Sequence, residues 1–206
     1  ARPLVIAIAL MLATPTFAAD FTIVDGQTET TQQTLDGTAG NNTGVIETGG
    51  TLTVGAVLDA ITATGTSNII TNSGTITGGD DGIESDGDDD IITNSGTITA
   101  ADDGIYLDGA NATITNSGTI DAGGDGIDSN DDSDGGTTTN SGTITATRYG
   151  IWSLGDDAII TNSGTIDAGF DGIRSNGISD IITNSGTITA SQDGIDSRAA
   201  NATITN

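Results

Sequence analysis

"TNSGTI" occupies Thr71–Ile76 and returns unchanged at Thr93, Thr115, Thr139, Thr161 and Thr183, with a partial copy at Thr205–Asn206. The asparagines of these copies are Asn72, Asn94, Asn116, Asn140, Asn162, Asn184 and Asn206, separated by 22, 22, 24, 22, 22 and 22 residues. A glycine in "DGI" or a variant keeps the same beat, at Gly82, Gly104, Gly126, Gly150, Gly172 and Gly194. Both markers take the step of 24 at one place, so two residues are inserted in "DSNDDSDGGTT" (128–138), which reads as a loop. A fixed period with one soft corner marks units that stack on one another.

The composition of the unit decides which coil it is. Helical repeats run longer and use helix formers, whereas this chain has no lysine and is rich in Thr, Ile, Asn and Gly. Apolar residues recur with period two around each Asn: Ile70, Ile92, Ile114, Ile160 and Ile182 before it, then Ile76, Ile98, Ile120, Ile144, Ile166 and Ile188. A third set follows "DG" at Ile83, Ile105, Ile127, Ile151, Ile173 and Ile195. Three short strands per turn, each giving an Ile to the inside, predict an all-β fold: a right-handed, three-sided parallel β-helix with about 22 residues per coil.

Coils of such a solenoid stack about 4.8 Å apart, so identical side chains lie above one another. A column of Ile packs on itself, and the column Asn72, Asn94, Asn116, Asn140, Asn162 and Asn184 is expected to hydrogen-bond along the stack. Asn also tolerates left-handed backbone, so "TNSG" is expected to place it in that conformation at a corner, with the following Gly relieving the turn. Six copies of a motif read as scaffold, since catalysis needs one.

Residues 1–18 carry an arginine, the apolar run Leu4–Leu12, Pro15 and then Thr16-Phe17-Ala18, the pattern of a secretory signal peptide. Residues 19–43 lose the period and are expected to cap the solenoid, and 44–206 are read as coils. The register is expected to begin at Gly44–Val54, with Ile46 and Leu52 in the Ile columns and Thr48 in place of the Asn.

A leader, a short irregular segment and 22-residue "IITNSGTITA…DGI" coils together resemble the passenger domains of bacterial autotransporters. The resemblance implies an exported, surface-displayed β-helix with an adhesin-like role, on the cell surface or outside the cell. It also implies a C-terminal β-barrel anchoring the chain in the outer membrane, so the natural protein is expected to continue past Asn206 with more coils and that barrel.

With 29 acidic residues against 4 arginines the formal net charge is −25, which makes nucleic acid an unsuitable partner. The acids gather at corners, such as Asp88-Asp89-Asp90 and Asp102-Asp103, and read first as a solvated, repulsive surface. No cofactor is expected on this reading. A Ca²⁺ ion between carboxylates of successive turns is the sharper alternative. Gly123–Asp131 approaches a Ca²⁺-binding repeat, although Asn130 stands where a large apolar residue belongs.

Enzymatic activity is not expected. "GDD" at Gly79, Gly87 and Gly155 resembles the paired aspartates of β-helix pectin hydrolases, yet the chain has no His and no Lys to support them. A secreted polysaccharide-active enzyme is therefore the alternative reading. A second alternative is an ice-binding solenoid, from the Thr pairs Thr75/Thr77, Thr97/Thr99, Thr143/Thr145 and Thr187/Thr189, interrupted by Asp121 and Asp167. For recognition of an unknown surface ligand, a glycan or a neighbouring cell surface, the varied column one place beyond the "DGI" isoleucines is the candidate. It contains Tyr106, Trp152 and Arg174, with Glu84, Asp128 and Asp196 between and beside them.

Overall fold

A computed structural model describes residues 20–36, 41–198 and 200–206. The expected signal peptide lies outside these residues, as do five positions of the expected cap.

Twenty-five strands of two to four residues form three parallel sheets and, among the described residues, no helix. Sheet A runs over nine strands from Phe21–Ile23 to Thr203–Thr205; sheet B over eight, from Thr28–Glu29 to Thr187–Ala190; sheet C over eight, from Gln33–Leu35 to Ile195–Ser197. Each chain turn contributes one strand to each sheet, and pairing strands are one turn apart, as in Ile91–Asn94 against Thr113–Asn116. The molecule is a right-handed parallel β-helix of about eight turns, the expected fold.

The interior follows from the period-two pattern. Ile76, Ile92, Ile98, Ile105, Ile114, Ile120, Ile127 and Ile144 are all fully buried, and stacked strands bring each onto its counterpart. Each fully buried Ile contributes roughly 2–3 kcal/mol of transfer free energy, so the columns carry most of the stability. Ile91, one residue away from Ile92, points out and is 44% exposed. The 24-residue coil keeps this register: Thr138 takes the Ile position between Ile114 and Ile160 and is still buried.

The Asn column forms the expected ladder. Nδ2 of Asn72 donates to Oδ1 of Asn94 at 2.8 Å, and the same 2.8 Å bond repeats through Asn116, Asn140, Asn162 and Asn184. The left-handed residues, however, lie elsewhere. Ser67, Asp89, Asn111, Asp157, Ser179 and Asn201 have φ near +60°, all at the corner between sheets C and A. The ladder Asn instead turns its side chain inward, where the amide also accepts from the main chain, as Asn72 Oδ1 does from Gly74 N at 3.1 Å. The glycine of "TNSG" is required for closeness rather than for a turn, since a Cβ at Gly96 would overlap the carbonyl oxygen of Gly74 in the coil below.

Two details of the first coils differ from expectation. Ile46 pairs with Asn72 and Gly44 with Ile70, so Ile46, and not Thr48, stands in the Asn column. The reason is the turn: Glu47–Gly50 separates the two strands here, against Ser73-Gly74 one coil on. Leu52 does pair with Ile76. The Phe21 ring fills the space that Gly44 leaves in the Ile column. Residues 21–35, expected to cap the solenoid, supply one strand to each sheet and so form a coil of their own.

Candidate functional site

The corner between sheets B and C holds a ladder that the repeat writes as the Asp of "DGI". Asp81 N–H donates to Asp59 Oδ1 at 3.1 Å, Asp103 N–H to Asp81 at 2.8 Å, and Asp125 N–H to Asp103 at 2.6 Å. A carboxylate has acceptors only, so it bonds the main chain of the next coil instead of its own kind. The acids therefore stack like charges under partial cover. Asp103 is 7% exposed and Asp125 fully buried, so the reading of the corner acids as a solvated surface does not hold here. It fails also at Asp90 and Asp180, which are buried inside the C–A corner and accept hydrogen bonds from Ser85 and Ser175.

At Tyr149 the ladder changes residue. Tyr149 N–H still donates to Asp125 Oδ1 at 2.8 Å, but its ring replaces the next carboxylate. Around that ring gather Trp152, with centroids 5.2 Å apart, and the exposed Phe170 at 6.1 Å. Arg148 lays its guanidinium 5.5 Å from both the Tyr149 and Trp152 centroids, while Arg174 lies 5.0 Å from Tyr149. Arg174 Nη1 donates to the Tyr149 hydroxyl at 2.7 Å and lies 3.7 Å from Asp171. Three of the six aromatic residues and two of the four arginines of the chain thus meet on one patch. Two donors within it, Trp152 Nε1 and Arg174 Nε, are buried without a partner, so the chain does not saturate its own patch.

Below the patch lies a group of buried acids. Asp103, Asp125 and Asp128 offer carboxylate oxygens that all lie within 4.8 Å of one another. Arg148 Nη1 approaches Asp125 Oδ2 to 3.1 Å, an ion pair without the alignment of a hydrogen bond. Burial pushes the Asp128 carboxyl up to about 7 and Asp103 up to about 6; neighbouring carboxylates add to the rise and Arg148 opposes it.

The candidate column stands as expected in one line: Glu84, Tyr106, Asp128, Trp152, Arg174 and Asp196 pair in register up sheet C. It is less exposed than expected. Tyr106, Trp152 and Arg174 are half-buried, and Asp128 between the two aromatics is buried. Tyr106 is held apart from the patch, its hydroxyl accepting from Asn130 Nδ2 at 3.1 Å. Sequence reading found Trp152 and Arg174 but missed Arg148, Tyr149 and Phe170. The signal was present: "TRYG" and "GFDG" replace small or acidic residues of the corresponding "ADDG" and "GGDG" loops. A separate concavity of about 620 Å³ at the last coil, lined by Ile188, Ile195 and Ile204, is the end of the interior columns and carries no cluster of charged groups.

No family model matches the chain, and a search of curated proteins finds no match. Among solved structures the chain is similar to the crystal structure of alginate lyase from Paenibacillus sp. str. FPU-7, with 16% identity, a TM-score of 0.48 and 91% of each chain covered. That neighbour is an enzyme, so this fold gives no ground for excluding catalysis, and the expectation of no enzymatic activity is withdrawn.

Proposed function

We propose that the chain is an exported, polysaccharide-active β-solenoid that seats a glycan on the outer face of sheet C. One observation carries the reading: aromatic rings and arginines, both scarce in this chain, converge at Arg148, Tyr149, Trp152, Phe170 and Arg174. Sugar rings stack on aromatic faces through their C–H groups, and guanidinium groups donate to hydroxyl and carboxylate oxygens. The Tyr149 hydroxyl, bonded by Arg174 at 2.7 Å, is the group placed to exchange a proton with a sugar resting on Trp152. Arg174 keeps that oxygen oriented toward the patch. The leader-like residues 1–18 and the coil pattern support the companion reading, that this solenoid is displayed outside the cell as part of an autotransporter passenger.

The test is a panel of neutral and uronate polysaccharides, scored for binding and for release of new chain ends. Wild type is expected to bind at least one polymer and to release ends from it. Trp152→Ala should weaken binding more than tenfold, and Tyr149→Phe should suppress end release while leaving binding in place. Absence of binding across the panel, or binding unchanged in Trp152→Ala, overturns the reading.

A further inference from the structure

The acid group beneath the patch has a geometry that the glycan reading leaves unused. A Ca²⁺ ion takes six to eight oxygen ligands at roughly 2.3–2.6 Å, so oxygens around one ion are separated by no more than about 5 Å. The carboxylate oxygens of Asp103, Asp125 and Asp128 meet that limit, lying within 4.8 Å of one another. They arise from different levels of the stack: Asp103 from one coil, Asp125 and Asp128 from the next, with Asp128 on sheet C and the other two at the B–C corner.

Proximity of acids alone is common, and a second group elsewhere on the corner, Asp80, Asp81 and Asp102, is merely exposed or half-buried. The deeper group differs in one respect. Asp128 is 8% exposed, and its Oδ1 is buried with no hydrogen-bond partner of any kind. Such an atom is costly to leave unpaired, so a buried acceptor without a donor marks the place of a missing cation or donor. Asp125 Oδ2 is the second oxygen without a hydrogen bond, facing only the poorly aligned guanidinium of Arg148. The other oxygens of this group are already held rigid: Asp103 Oδ1 accepts from Asp125 N–H at 2.6 Å, and Asp125 Oδ1 from Tyr149 N–H at 2.8 Å. The ladder thus fixes the carboxylates and leaves their second oxygens for another partner.

We infer that Asp103, Asp125 and Asp128 form a Ca²⁺ site between two coils, with Arg148 as its displaceable internal cation. Arg148 is the one positive group on the cluster, and its side chain is 45% exposed, free to swing outward when an ion enters. Three carboxylates against one guanidinium leave an excess negative charge that a divalent cation neutralises. Water completes the coordination on the Arg148 side. Ca²⁺ suits the group better than Mg²⁺, because two ladder-fixed carboxylates and Asp128, drawn from two coils, do not offer the near-ideal octahedron that Mg²⁺ demands. With few protein ligands, the affinity belongs to the weak range of about 10⁻⁴–10⁻³ M found for extracellular modules.

Trp152 provides the reporter. It is the chain's single tryptophan and the register partner of Asp128 on the next coil. Tb³⁺, a probe for Ca²⁺ sites, should therefore show sensitised luminescence when Trp152 alone is excited, saturating with one bright ion and displaced by millimolar-range Ca²⁺. Asp128→Asn should abolish that emission. Asp80→Asn, in the exposed group, should leave it unchanged, and Arg148→Ala should tighten binding several-fold by removing the competing guanidinium. Diffuse binding to the acidic surface predicts otherwise, because Asp128→Asn removes only one of 29 acidic residues. Should Asp128→Asn lose its β circular dichroism, Asp103→Asn takes its place. Ca²⁺ should also raise the melting temperature of wild type and not of the folded variant. No sensitised emission, or emission retained in Asp128→Asn and Asp103→Asn, overturns the site, whatever the outcome of the polysaccharide panel.

Discussion

Two ladders climb this solenoid at different corners, and they solve the same problem with different chemistry. The Asn ladder between sheets A and B passes a hydrogen bond from amide to amide, every step at 2.8 Å from Asn72 to Asn184. An amide has both donor and acceptor, so the column satisfies itself, stays neutral and can be extended by any number of coils. The Asp ladder between sheets B and C cannot do this. Each carboxylate borrows an N–H from the next coil and adds a charge to the stack. Its pKa values rise as burial and like charge combine, and after Asp125 it is broken by Tyr149 with Arg148 beside it. Neutral ladders make frame; charged ladders accumulate a strain that a proton, a cation or a change of residue must relieve. The varied, chemistry-bearing side chains accordingly sit where the charged ladder is interrupted, before it resumes with Asp193 N–H on Asp171 Oδ1 at 3.0 Å.

The largest effect in this comparison should come from the frame that both ladders share. Ile120→Asp buries a charge in a fully buried column and should abolish cooperative unfolding, a loss of roughly 4 kcal/mol or more. Ile91→Thr, on the outward side, should change the denaturant midpoint by less than about 0.5 kcal/mol. Equal losses at the two positions would contradict the register.

Breaking the neutral ladder is next. Asn116→Ala removes the acceptor of Asn94 Nδ2 and the donor to Asn140 Oδ1, two buried partners at once. A loss of roughly 2–4 kcal/mol is expected by urea denaturation. Asn116→Asp should be worse at pH 8 than at pH 4, since only the protonated acid can donate.

The charged ladder should respond to pH in the opposite sense to most acidic side chains. Asp81 and Glu84 are pushed up to about 7, first by burial, and burial raises Asp90 and Asp180 as well. Their folded values exceed the unfolded ones, so the native state binds more protons between the two. For Asp81 and Glu84 that contribution is complete below about pH 4 and is lost as pH rises through about 7; Asp90 and Asp180 act in the same direction. With a chelator present and ionic strength fixed, melting temperature should therefore climb from pH 8 to pH 5. A flat or falling profile over that interval would show that ladder charge is already relieved.

The smallest expected shift sharpens the same point. Asp81→Asn keeps an oxygen for the Asp103 N–H and removes one charge from the stack. It should raise the melting temperature by a few degrees at pH 8 and leave it unchanged at pH 5. A loss at pH 8 would mean that the carboxylate, and not merely its acceptor oxygen, holds the coils together.

The 22-residue period, the inward isoleucines and the Asn ladder were all legible in the sequence, because stacking brings identical residues together and so makes repetition a direct record of contact. Ile92 inside and Ile91 outside follow from strand alternation alone. Tertiary structure decided what repetition does not encode. The length of the Glu47–Gly50 turn moves Ile46 into the Asn column, and the left-handed φ falls to Asn111 and its counterparts instead of to the ladder Asn. Asp103, Asp125 and Asp128 look like solvated corner acids in one dimension; only the stack shows that neighbouring coils bury them together. Likewise the 22-residue step stacks Arg148 on Phe170 and Trp152 on Arg174, but only the bend at the B–C corner turns these two columns and Tyr149 onto one surface. Periodic interactions between equal positions can be read along the chain, whereas a site built from the departures at unequal positions exists only once the coils have been laid on top of one another.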